Sequence, residues 1–131
     1  MTLGAIRDWL ETFHLAEHLY TNRLVKKEEK SIGVYDRAAY GRPVMAIGGV
    51  RNSSYDMLPV SILLHWNRSF TETEEAAQTL WEALAEARHV DMPGGQHIQF
   101  LQMTVPKPVY VATDASGIHE YVINFNLYYR R

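Results

Sequence analysis

Ile118–Arg131 reads IHEYVINFNLYYRR, and its alternation decides the fold. Tyr121, Ile123, Phe125, Leu127 and Tyr129 fall on one face; Glu120, Val122, Asn124, Asn126 and Tyr128 fall on the other. A period of two with one apolar side is the pattern of a strand laid against a core. VYVAT (Val109–Thr113) precedes it, and Asp114-Ala115-Ser116-Gly117 lies between as a polar turn, so the two runs read as a hairpin. The remaining chain has to supply partner strands and a cover for the apolar face.

Working backwards, His97–Val105 is a strand, separated from the hairpin by Pro106 and Pro108. Ala76, Ala77, Leu80, Trp81, Leu84 and Ala87 make one apolar stripe at helical spacing. Thr71 and Glu74 have the spacing of a capping box at the start of that helix, with acids in its first turn. Arg88 and His89 close it, and Pro93-Gly94-Gly95 ends the connection. Pro59–Trp66 (PVSILLHW) is the most apolar strand, with apolar residues on both faces, and reads as central. RNSSYDM before it is a polar link. Val44–Ile47 starts another strand, stopped by Gly48-Gly49, and Ser31–Tyr35 is a short one. Leu3, Ile6, Leu10 and Phe13 predict a helix over Thr2–Phe13, capped by Thr2. His14–Leu24 is ambiguous between helix and strand, with YTNRL favouring strand. Val25–Lys30, dense in both charge signs, is an exposed loop. The sum is an α+β fold: a mostly antiparallel sheet with two main helices packed on one face, in a single domain over residues 1–131.

Composition narrows the function classes. Thirteen basic residues nearly balance fifteen acidic ones, which points away from nucleic acid or an anionic membrane as the main partner. The chain has no cysteine, so it has neither a disulfide framework nor thiolate chemistry. Arg7, Asp8 and Glu11 interrupt the N-terminal apolar pattern, so no secretory signal is read there. His14-Leu15-Ala16-Glu17-His18 matches the inverted zinc-protease pattern H-x-x-E-H, which on a helix would put both histidines on one face. No third ligand is marked, and surface histidines are the plainer reading. No nucleophile elbow, phosphate loop or dinucleotide fingerprint occurs.

Several segments carry a resemblance: KKEEKSIGVYDR, the Gly48-Gly49 turn, SSYDMLPVSILLHWNRSFTETEEAAQTLWEAL and GIHEYVINFNLYYRR. The most telling pieces are PVSILLHW followed by an E-x-x-A helix (Glu74 to Ala77), and EYVINFNLYYR. Together they resemble the phage minor capsid proteins grouped with tail terminators, in particular those of phages and prophages of Gram-positive bacteria. The resemblance implies a sheet flanked by helices and a homo-oligomeric ring, usually of six copies. That ring would sit on the last ring of the tail tube protein and join the head-completion or connector protein. It implies a virion protein of the tail or neck, assembled in the host cytoplasm. It also implies no cofactor and no active site, and the charge balance above adds no membrane or specific nucleic-acid partner. Tyr128, Tyr129, Arg130 and Arg131 combine the residue types that concentrate binding energy at interfaces and are candidate interface residues. Lys26, Lys27, Glu28 and Glu29 are candidates for a polar rim contact. Two other readings compete: a small metal-dependent hydrolase using the H-x-x-E-H stretch, and a generic ligand-binding α+β domain.

Overall fold

A computed structural model describes residues 1–25, 27–37 and 55–130. The described elements run α1 (Leu3–Glu11), β1 (His18–Thr21), β2 (Ser31–Asp36), β3 (Tyr55–His65), α2 (Phe70–Ala85), β4 (Arg88–Asp91), β5 (His97–Met103), β6 (Val109–Thr113) and β7 (His119–Arg130). They form an α+β fold. One sheet has the order β1-β2-β3-β7-β5-β4, and β6 pairs with β7 off this path.

The last strand is the axis of the sheet. On one side β7 pairs antiparallel with β3 over nearly its whole length, from Glu120↔His65 to Arg130↔Tyr55. On the other side two strands share it: β5 lies along Phe125–Tyr129 and β6 along His119–Val122. Between them Thr104 donates from its backbone N and its Oγ1 to Asn124 O. β5 and β6 are therefore one interrupted partner of β7. The break falls where Pro106 and Pro108 bring no N–H to the ladder.

The expected faces of β7 are observed. Tyr121, Ile123, Phe125 and Leu127 are buried, and the intervening residues are half-buried. They meet Val60, Ile62 and Leu64 of β3 and Ile32 and Val34 of β2 in one core. Both helices lie on that side. Helix α1 contributes Ile6, Trp9 and Leu10; α2 contributes Ala76, Ala77, Leu80 and Leu84, with Trp81 partly buried beside them. Thr2 caps α1 as expected, its Oγ1 accepting from Ala5 N at 3.1 Å.

Four local expectations need correction. The cap of α2 is Ser69, whose Oγ accepts from Glu72 N at 3.3 Å. Asn67 explains the shift: its Oδ1 accepts from Ser69 N and Thr73 Oγ1, and its Nδ2 donates to Glu72 Oε2 at 2.8 Å. Helix α2 stops at Ala85, and Arg88–Asp91 is the strand β4 rather than a helix end. Pro93-Gly94-Gly95 turns β4 into β5, with Gly95 at φ 91°. Strand β3 already includes Tyr55, Asp56 and Met57, which find partners in Arg130, Tyr129 and Tyr128. Finally, His14–His18 is not one helix. Helix α1 ends at Glu11, His14 has φ 54°, and His18 opens β1. The proposed strand Val44–Ile47 and the Gly48-Gly49 turn lie outside the described residues.

One pairing departs from the antiparallel rule: β1 and β2 are parallel. Residues 22–30 must then carry the chain back, between left-handed residues Asn22 (φ 60°) and Lys30 (φ 53°). The returning chain crosses closely over β2. A Cβ on Gly33 would lie 3.1 Å from Arg23 O and 2.8 Å from Tyr35 Cε2, so the glycine makes room for the crossing.

Candidate interaction surfaces

Both described helices lie on one face of the sheet, and β7 turns its alternate, half-buried residues to the other. At the C-terminal end of β7, Tyr128 stacks on Phe100 of β5, ring centroids 4.6 Å apart and planes 13° from parallel. Tyr55 of β3 closes on Tyr128 from the other side at 5.7 Å. Tyr128 is thus held between two rings, and its hydroxyl donates to Gln102 Oε1 at 3.3 Å. Phe100 and Tyr55 are each 42% exposed. Arg130 is exposed opposite Tyr55. This is an aromatic patch with a basic neighbour. Of the sequence candidates, Tyr128 and Arg130 belong to it. Tyr129 points the other way and packs against the core. Arg131 lies outside the described residues.

Arg37 approaches the same face. Its Nε donates to Val60 O at 3.1 Å, and its Nη2 to Phe125 O at 2.8 Å and Asn126 Oδ1 at 3.2 Å. Burial holds the guanidinium below its ordinary pKa. Three acceptors on two strands fix the chain as it leaves β2. No sequence pattern marks that role.

The charged loop lies elsewhere. Residues 25–30 lead into Ser31, which pairs with His65, which in turn pairs with Glu120 at the N-terminal end of β7. The two sequence candidates therefore sit at opposite ends of the sheet. Lys27 and Glu29 are exposed, as expected for a rim. Glu28 is engaged within the chain: it accepts from the Tyr20 hydroxyl and lies 2.7 Å from His18 Nδ1. That hydrogen bond is the first cause of the raised Tyr20 pKa. Lys26 lies outside the described residues.

A second aromatic cluster, unanticipated from sequence, stands at the N-terminal end of β7 on the helix side. Tyr121 of β7 lies 5.3 Å from Tyr110 of β6, and Phe70, the first residue of α2, lies 5.5 Å from Tyr110 and 6.2 Å from Tyr121. His119 Nδ1 is 3.0 Å from the Tyr110 hydroxyl, which also meets Thr113 Oγ1 at 2.7 Å, so Tyr110 is fixed in place. Beside these rings, Glu74, Glu75, Gln78, Lys107, Pro108, Val109, Tyr110 and Tyr121 line a pocket of about 470 Å³. Burial first, and the Glu74 carboxylate next, raise the Tyr121 phenol above its ordinary pKa. The available sequence signal was Phe70, an apolar residue just inside a cap on the outward side of its helix.

The H-x-x-E-H residues do not converge as metal ligands. His18 pairs with Glu28, and Glu17 and His14 are exposed on the turn before β1. Among the described residues no group of three or more His, Cys, Asp or Glu is arranged to hold a metal ion. No described helix is long and apolar enough to cross a membrane.

What the fold and surfaces define is an α+β module with aromatic patches at both ends of its longest strand. The family model described as "Bacteriophage tail terminator protein" matches residues 19–131. The chain belongs to that family, a family of phage tail proteins. The match takes in every strand of the sheet except the first residue of β1, and leaves out α1. Comparison with curated proteins gave no match.

Proposed function

We propose that the protein is a tail terminator subunit that forms a ring, of six copies, on the last ring of the tail tube. One end of the ring covers the growing surface of the tube, and the other presents a docking surface to the head connector. The action is geometric and needs no cofactor or catalysis. A subunit that matches the tube on one side only leaves the next tube subunit without a complementary surface. It works in the virion, at the junction of tail and neck, after assembly in the host cytoplasm.

The observation that carries this reading is the family match over residues 19–131. The separation of the surfaces supports it. The Tyr55–Phe100–Tyr128 patch and the Phe70–Tyr110–Tyr121 cluster lie at opposite ends of β7. A ring subunit needs distinct surfaces, because a heterologous contact closes only at the right rotation and the two axial faces meet different proteins. The test uses purified protein and the cognate tail tube protein. Native mass should show a closed oligomer of six, alone or on tube ends, and adding it to polymerising tube protein should arrest elongation. Tubes that elongate at the same rate with the protein present would overturn the proposal.

A further inference from the structure

The pocket between α2 and β6 has a chemistry of its own. One wall is aromatic and apolar: Val109, Tyr110 and Tyr121, with Pro108. The other is the solvent side of α2, which brings Glu74 and Glu75. The lip is conspicuously apolar for a surface. Phe70, which packs on Tyr110, is 44% exposed, Val109 44% and Tyr110 40%. Adjoining apolar side chains left in water in this way mark a contact site.

The charges say what kind of contact. Among the described residues neither Glu74 nor Glu75 forms an ion pair, although Lys107 lines the same pocket. An anionic group would meet two carboxylates, and a purely apolar one would cover two carboxylates of which only Glu74 has a neighbouring donor, the Tyr121 phenol. A guanidinium satisfies both walls, since it stacks on the exposed Tyr110 ring and donates to carboxylates, while its methylene stem lies on the apolar lip. β6 adds backbone groups. Among the described residues its only partner is β7, and the bulge at Val111 limits how far a second strand could follow its other edge.

We propose that this groove docks an extended segment of a partner protein by taking an arginine side chain between the Tyr110–Tyr121 wall and the Glu74–Glu75 helix face. The inference rests on the assembly reading for the partner being a protein; the chemistry of the occupant comes from the groove.

The test titrates the full chain, labelled with ¹⁵N, with the capped peptide Gly-Val-Arg-Val-Gly and with analogues carrying citrulline or glutamate in place of arginine. The arginine peptide should give saturable shifts centred on the amides of Glu75, Tyr110 and Tyr121. Citrulline should weaken binding about fivefold or more, as expected for loss of a cation–π contact and an exposed ion pair together, and glutamate should abolish it. The double variant Glu74→Gln, Glu75→Gln should lose the same factor for arginine and nothing for citrulline, with an unchanged melting curve. Equal affinity for arginine and citrulline would overturn the proposal. So would shifts centred away from the groove, or the absence of saturable shifts. A failure of the tube-capping reading would appear in tube elongation, which this titration does not involve.

Discussion

His65 Nδ1 lies 3.0 Å from Glu120 Oε2 across the β3–β7 pair, and the imidazole is 1% exposed. Its Nε2 lies 3.5 Å from Asp114 Oδ2 in the turn before β7. One ring thus ties the end of the central strand to both the start of β7 and the turn that positions it. Replacing His65 with alanine removes the ring from between two carboxylates and should cost about 2–4 kcal/mol, the range for breaking a buried polar pair from one side. Urea denaturation of both proteins gives the difference. A cost under about 1 kcal/mol would mean that water takes over the role of the imidazole.

Phe125 and Tyr128 lie on opposite faces of the same strand, one in the core and one outside it. Phe125 is fully buried against α2 and β3, so Phe125→Ala should cost about 3–5 kcal/mol. Tyr128→Ala removes a half-buried ring stacked on Phe100 and should cost about 1 kcal/mol. Chemical denaturation of the two variants checks the order. Equal costs would place part of the core on the open face.

The helix start offers a finer test. Ser69→Ala removes the Oγ that accepts from Glu72 N and should cost about 1 kcal/mol, while Thr71→Ala, at the second residue of the helix and with no capping role, should change stability by less than about 0.5 kcal/mol. Thermal melts of the two variants suffice. The reverse order would restore the cap expected from the Thr71–Glu74 spacing.

That misplaced cap shows what sequence could and could not carry. The alternation of Tyr121, Ile123, Phe125 and Leu127 marked β7, and the stripe Ala77, Leu80, Leu84 marked the buried side of α2, because burial on one face imposes a period. The β6–β7 hairpin was legible in Asp114–Gly117 for the same local reason. Three features depend on contacts distant in sequence and left no local trace. β1 and β2 run parallel because residues 22–30 cross over Gly33 rather than making a hairpin. β4 is a strand because Arg88 and Val90 pair with Phe100 and Ile98, though Arg88 and His89 after an amphipathic helix read as its basic end. Ser69 is the cap because Asn67 holds its N–H, and Asn67 itself is placed by His119 N donating to its carbonyl. The surfaces were half legible. Tyr128 and Arg130 stood out by residue type, whereas the cluster of Phe70, Tyr110 and Tyr121 is assembled from three elements that only the sheet brings together.

The most direct test of the central claim is the length of tails, measured by electron microscopy, made by a phage whose copy of this gene carries an early stop codon. Tails should grow past the wild-type length, or tails and filled heads should stay apart, with wild-type particles restored by the intact chain supplied in trans. Tails of normal length joined to heads in the absence of the protein would contradict it.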